Sequence, residues 1–307
     1  MQGHGGSVLN TQNINEIQSK EDGVNTLCAA HVAHSRSQKA QAAQGGVAAF
    51  LALGSLASAA AHSLAPWLAI ASFTWIGIVE LWLSRYSKKW TNLATRMQER
   101  FDRDLFQLPW TADLGNRPTD GEVARLSSLF KGDRQSKVDW YVNVRDLPLP
   151  YAILICQREN LVWDELNRSR WASMLWRLTL AWCAGGVAVA LAENWTTFHL
   201  LARWFAPSTA ALWLCIRSAY KHNDIASTKQ RLALSVSDKI SEQFPDPPSP
   251  EQSRVLMTYC ETVQRRIFSL RDHPERVPQK IYWKSRSQDE TAARADSEQL
   301  RTRLLDL

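Results

Sequence analysis

Cysteine is scarce in this 307-residue sequence, and what there is does not cluster. Cys28, Cys156, Cys183, Cys215 and Cys260 are odd in number and far apart, with no CxxC and no Cys/His group at metal-ligand spacing. That pattern excludes a disulfide framework and a structural zinc site, and reads as reduced thiols in or facing a cytosol. The seven histidines (4, 31, 34, 62, 199, 222, 273) are equally scattered. His31 and His34 share a helix face without an acid or thiol at ligand spacing, so no metal and no cofactor is expected. There is no P-loop, GxGxxG, HExxH or GxSxG. The common phosphate-cradling, dinucleotide, zinc-protease and serine-hydrolase readings fall with them. The first 44 residues are polar, so no cleavable secretory signal is expected. With no catalytic constellation, the chain is not expected to be an enzyme.

Lysine and arginine are missing from Gly45 to Ser84, where Glu80 is the one acid. Two apolar stretches fill that gap, Gly45 to Ala65 and Pro66 to Arg85. Each has about the 20 residues that a membrane-spanning helix needs, with Pro66 placed for the turn between them. A second pair follows, Trp176 to Asn194 and Phe198 to Ser218. Arg203 and Pro207 interrupt its second member, and a buried soluble hairpin is the alternative for this pair. The charge map favours membrane. The turns around His62–Pro66 and Asn194–Thr197 have no Lys or Arg. The opposite ends carry Arg36 and Lys39; Arg85, Lys88 and Lys89; Arg168, Arg170 and Arg177; and Arg217 and Lys221. This is the positive-inside pattern at four span ends, and it puts both termini in the cytosol. The chain holds 14 Trp, of which Trp67, Trp82, Trp176, Trp195 and Trp204 fall near span ends like an aromatic belt. A mean hydropathy of -0.29 averages over this segregation.

The expected fold is therefore an all-α membrane protein with four transmembrane helices in two hairpins. The chain divides into a cytosolic N-terminal helix (1–44), a first hairpin (45–86), a cytosolic central segment (87–175), a second hairpin (176–220) and a cytosolic helical C-terminal segment (221–307). Helix is expected over 12–43, running into the first span, and from the second span through 106. Thr119 and Glu122 have capping-box spacing for a short helix to about Phe130, and 138–150 reads as an irregular aromatic loop. The break at 244–250 precedes a helix begun by Ser249, Pro250 and Glu251. On it Leu256, Cys260, Val263, Ile267 and Leu270 make an apolar stripe.

Within the spans, Gly54 with Ser58, and Ser55 with Ala59, put small residues on one side. Such a side permits close packing, either inside the chain or against another copy. Glu80 and Arg203 are ionisable groups near opposite boundaries; they either function at depth or snorkel to the interface. No span is polar along a whole face, so a wet pore would need several copies and implies a homo-oligomer in the lipid bilayer.

Proline is absent from Tyr151 to Ala192, so the stretch ILICQRENLVWD (153–164) reads as part of one long helix begun at Pro150. At about 100° per residue, Gln157, Asn160, Asp164, Arg168 and Trp171 fall within about 80° of one another. Cys156 faces apolar neighbours and has no nearby histidine in sequence, the setting of an inert packing thiol. The polar stripe has two open readings: a binding surface together with the Trp140/Tyr141 loop, or a buried hydrogen-bond network joining cytosolic helices.

Four stretches, FDRDLFQLPW (101–110), DWY (139–141), ICQRENLVWD (155–164) and RRIFSLRDHPERVPQKIY (265–282), carry a family likeness. With the order of parts around them, they resemble the SMODS-associating four-transmembrane effector family, from about Asn13 to Arg286. The resemblance implies a bacterial inner-membrane, multi-pass protein of anti-phage defence. It would sense a cyclic oligonucleotide made on infection and permeabilise the membrane, aborting the infection. On that implication, Arg158, Arg168, Arg271 and Lys280 are suited to the phosphates, and Trp140, Tyr141, Trp163 and Tyr282 to stacking on bases, beside Gln157, Asn160 and Asp164. The net charge of +6 then serves an anionic ligand and lipid, and no nucleic-acid polymer is expected as a partner. The alternative is a membrane-anchored structural or adaptor protein that recruits a cytosolic partner without forming a pore.

Overall fold

The computed structural model describes residues 12–60, 62–242, 248–273, 275–278, 295 and 298–302. All regular structure among them is helical. A short α1 (Gln12–Ile17) precedes α2 (Glu21–Ala60). A 3-10 turn, His62–Leu64, leads into α3 (Ala65–Ile78), which passes through a π-helical turn (Val79–Leu83) into α4 (Ser84–Phe106). After the small α5 (Asp120–Ser127) comes α6 (Leu149–Ala192). Then α7 (Thr197–Leu200) continues through a second π turn (Leu201–Phe205) into α8 (Ala206–Glu242), and α9 (Pro250–Arg271) follows.

Length decides how these helices are used. At 1.5 Å per residue, the 40 residues of α2 reach about 60 Å, twice the roughly 30 Å of a bilayer core. Three helices, Glu21–Ala57, Ala65–Phe106 and Leu149–Ala192, are long and apolar enough to cross a membrane. The α7–α8 helix, with Arg203 and Arg217 in its apolar part, is not among them. The long helices pack as antiparallel neighbours, α2 against α3 and α4, and α6 against α8.

The two ends of this bundle differ in surface. Towards the turns, large apolar side chains stand outward, including Phe50 (74% exposed), Trp67 (72%), Leu191 (75%) and Phe198 (74%). Large apolar side chains exposed together in this way mark a surface that another apolar phase covers. At the other end Ile153, Leu154, Ile155 and Cys156 are fully buried, in a core shared with α4, α8 and α9. The apolar stripe of α9 belongs to the same core, with Leu256, Cys260, Val263 and Ile267 inside it and Leu270 buried at its end.

Local chemistry explains the boundaries. Thr119 and Glu122 form the expected capping box of α5, and Ser249 with Gln252 forms another at α9. Pro66 and Pro150 sit in the first turns of α3 and α6, where a missing N–H costs nothing. Three details depart from expectation. Helix α5 stops at Ser127, because Ser127 and Ser128 turn their hydroxyls back onto the carbonyls of Ala124 and Arg125. The N-terminal helix is broken at 18–20, where Gln18 bonds both the N–H and the C=O of Tyr141. Pro207 does not break α8. A π turn, Leu201–Phe205, lies just before it, the local widening of a helix that makes room for a proline ring.

Candidate functional site

The loop 138–148 has no regular structure, so its buried backbone needs side-chain partners. Asn15 donates to Val142 O (3.1 Å) and accepts from Val144 N (3.0 Å), and Glu159 of α6 accepts from Val142 N (3.1 Å). Together with Gln18, these bonds press Tyr141 into the core, where it stacks on Phe101. Burial holds its phenol well above the usual range.

Tyr141 opens a buried polar network in which distant parts of the chain meet. Its hydroxyl donates to Asp102 of α4 (2.8 Å), and Asn160 of α6 donates to that hydroxyl (3.4 Å). Arg271, at the end of α9, pairs with the other oxygen of Asp102 (2.6 Å). Although burial opposes it, the Asp102 carboxylate raises Arg271 above the ordinary guanidinium range. Gln264 bridges Asp102 (3.2 Å) and Glu99 (2.9 Å) and accepts from Gln157 of α6 (3.1 Å). Arg103 pairs with Glu99 (2.6 Å) and forks onto Glu261 of α9 (2.9 and 3.1 Å).

A second network lies nearer the apolar half. Asp164 of α6 pairs with Arg168 one turn on (2.7 Å) and with Lys229 of α8 (2.6 Å). Arg168 also reaches Nδ1 of the fully buried His222 (3.2 Å) and the carbonyl of Glu275 (3.2 Å). Burial pushes Lys229 down to about 8 against the pull of Asp164. Burial, and then the Arg168 charge, push His222 down to about 3, so its ring is neutral at physiological pH.

The remaining residues expected at a site are dispersed. Arg158 points to α8, its Nε donating to Ser237 (2.6 Å). Trp140 packs on the core edge with the Lys137 ammonium 5.4 Å over its ring, and Trp163 is half-buried on α6. Lys280 and Tyr282 lie outside the described residues. Among the apolar-half residues, Gly54 faces Leu68 of α3, where an added Cβ would come within 3.0 Å of it. The small-residue side therefore serves packing inside the chain at that position. Ser55 is buried and turned onto Ala52 O (2.6 Å), while the side chain of Ser58 lies outside the described set. Glu80 pairs with Arg217 of α8, and Arg203 lies 5.6 Å over the Trp195 ring. Both residues occupy π turns.

Sequence reasoning missed Glu99, Asp102, Arg103, Lys229, His222 and Gln264. Some signal existed: Glu99 and Arg103 are four apart on one helix face, as are Asp164 and Arg168, and His222 and Lys229 are seven apart. In chemical terms these are fixed, paired charges, with Arg168 and Lys229 in excess over Asp164, suited to holding helices in register or to receiving an anion. Cys156 and Cys260 are buried, and burial raises the Cys260 thiol beyond the nucleophilic range. No group of three or more metal-ligating side chains occurs among the described residues.

Asp102 and Arg103, Tyr141, Gln157 and Asn160, and Arg271 come from the four stretches whose likeness to a family was noted, and they meet in one network. The chain is also similar to a protein of Bacillus cereus (strain VD146) described as a probable CBASS effector molecule. The two are 20% identical over 226 residues, 73% of this chain and 74% of the relative. No solved structure matches. The SMODS-associating 4TM effector domain matches residues 12–300. The chain is a membrane protein of the SMODS-associating 4TM effector family.

Proposed function

We propose that this protein is an anti-phage effector of the bacterial inner membrane. A cyclic oligonucleotide binds its cytosolic body, and several copies together then permeabilise the bilayer through four spans per copy. The anti-phage role is supported by the family and by the relative described as a CBASS effector. The fourth span is the apolar part of α7–α8. Its Phe198, Leu201, Trp213, Ile216 and Tyr220 stand outward like those of the other spans, and its Arg217 is neutralised by Glu80. Both termini lie in the cytosol, and the chain acts without catalysis.

One observation carries the gating: α6 is a single helix of 44 residues whose first half joins both buried polar networks and whose second half is apolar and exposed. Anything that rearranges Gln157, Asn160, Asp164 or Arg168 turns or shifts a membrane helix directly. A messenger that is a ring of phosphodiesters suits a cytosolic body rich in Arg and Lys. Cells expressing the protein with a messenger-making nucleotidyltransferase should lose membrane potential, read with a potential-sensitive dye. Binding of cyclic di- and trinucleotides to the protein in detergent, read by calorimetry, should weaken at least tenfold in Arg168→Ala, a loss of about 1.4 kcal/mol. Intact potential under every nucleotide would sink the reading and favour a membrane-anchored adaptor. For the adaptor the fitting feature is a shallow 440 Å³ groove between α8 and α9, lined by Leu232, Tyr259, Val263 and Arg266.

A further inference from the structure

Past the end of α9 the chain does not leave the bundle. Residues 275–278 cross the cytosolic mouth of the four long helices without regular structure, held by polar contacts to both hairpins. The Glu275 carboxylate pairs with Lys221 of α8 (3.0 Å), and its carbonyl accepts from Arg168 of α6 (3.2 Å). The Arg276 N–H donates to Gln41 of α2 (3.1 Å), and Gln38 of α2 donates to Val277 O (3.3 Å). Gln38 and Gln41 lie just before the first apolar stretch, and Lys221 just after the last. The strap thus ties the first hairpin to the second where the spans emerge.

The charges around the strap do not balance. Arg168, Lys221, Lys229 and Arg276 outnumber the carboxylates of Asp164, Asp272 and Glu275. Burial and the Arg168 charge hold Arg276 down to about 9. Polar capacity is also unspent: Glu275 Oε2, Arg276 Nε and Nε2 of the fully buried His222 are all buried without a partner. A half-satisfied polar contact is weak for the area it covers, because each unpaired buried atom keeps its desolvation cost. The site is reachable, since Lys221 is 40% exposed while Glu275 is 14% exposed.

We propose that Glu275 is a built-in stand-in for a phosphate. Its carboxylate pairs with Lys221 beside the Arg168 and Arg276 guanidiniums, which donate to the carbonyls of Glu275 and Arg271, and a phosphodiester arriving from the cytosol takes its place and frees strap 275–278 from α2. This rests on the reading of the protein as a messenger-gated effector and adds to it where the phosphate acts and what it releases. A phosphodiester matches the charge of a carboxylate but sets its two non-bridging oxygens tetrahedrally and is not tethered to the strap, so it can turn towards the donors that Glu275 leaves idle. Loss of the strap removes the Gln38 and Gln41 contacts, which bridge the two hairpins.

Hydrogen exchange of the Arg276 amide in the full-length protein in detergent reads the strap independently of any pore. Glu275→Gln should speed that exchange about tenfold, the effect of losing one charge-assisted contact. Inorganic pyrophosphate should speed it in the wild type. The charge-reversed pair Lys221→Glu with Glu275→Lys should exchange slowly again and ignore pyrophosphate. Unchanged exchange in Glu275→Gln overturns the strap, and wild-type exchange indifferent to pyrophosphate overturns the stand-in. Dye release from vesicles, run in parallel, judges the effector reading separately. Slow exchange restored by charge reversal in a protein that never leaks keeps the strap and removes the pore.

Discussion

The two halves of α6 follow different packing rules although they are one helix. From Leu149 to Leu161 its large apolar residues are buried and its polar ones are bonded to α8, α9 and the 138–148 loop. From Leu178 to Leu191 most large apolar residues stand outward, and the helix meets its neighbour through Gly186 and through Trp182, whose ring lies against Trp204. Gly186 receives the Trp204 indole, and Gly54 receives Leu68. In water, burial of apolar area drives association. In lipid, a leucine gains little by moving from a tail to a helix, so close approach and a few polar contacts do the joining. Charge is treated differently as well. The polar half concentrates it into interlocked networks, whereas among the described residues the apolar half holds the bridge from Glu80 to Arg217.

Removing one member of a buried network should break this contrast most strongly. Asp164→Ala leaves Lys229 and Arg168 uncompensated inside the polar half and should cost about 3–5 kcal/mol, read by urea unfolding in detergent. A cost below about 1 kcal/mol would mean that the charges are solvated and the network is not a core. Acid should act in the same place. His222 has a folded value of about 3 and an ordinary value near 6.5, so the unfolded chain binds the extra proton. Its contribution is full above pH 6.5 and lost as pH falls towards 3, about 2–4 kcal/mol in all. A His222→Gln variant should flatten that part of the stability curve, and an unchanged slope would clear His222 of responsibility.

The apolar half should instead fail by crowding. A Cβ on Gly186 would lie 2.6 Å from the Trp204 ring, so Gly186→Leu should cost about 1–3 kcal/mol, with Trp204→Ala restoring part of it. Additive losses in the double variant would show that the two do not meet. Removal of the Thr119 cap should cost about 1 kcal/mol and loosen α5 alone, seen as faster exchange of the Glu122 amide. The smallest effect belongs to the outward surface. Leu178→Ala should change unfolding by less than about 0.5 kcal/mol, and a large loss would place Leu178 in a core rather than in lipid.

Helices were legible in the sequence because their signals are local. The capping box at Thr119, the prolines at the starts of α6 and α9 and a stripe spaced three and four all lie within a few residues of what they specify. The polar side of α6 was legible too, as a set of residues on one face. What faces it was not. Gln157 meets Gln264, which is 107 positions away, and Arg168 meets His222, which is 54 away, across pairings that helix periodicity leaves open. Of the two readings of that side, the structure places Gln157, Asn160, Asp164 and Arg168 in buried networks joining helices. Ligand binding through them therefore requires those networks to open. The π turns at Glu80 and Arg203 were invisible, because nothing in composition separates a π turn from the α-helix around it.

The most direct test uses purified full-length protein and lipid alone. Vesicles containing the protein are loaded with a self-quenching dye and exposed in turn to cyclic di- and trinucleotides. The account predicts release with at least one of them, none without nucleotide, and none with Arg168→Ala. Vesicles that stay sealed with every nucleotide, or leak equally without any, would contradict it.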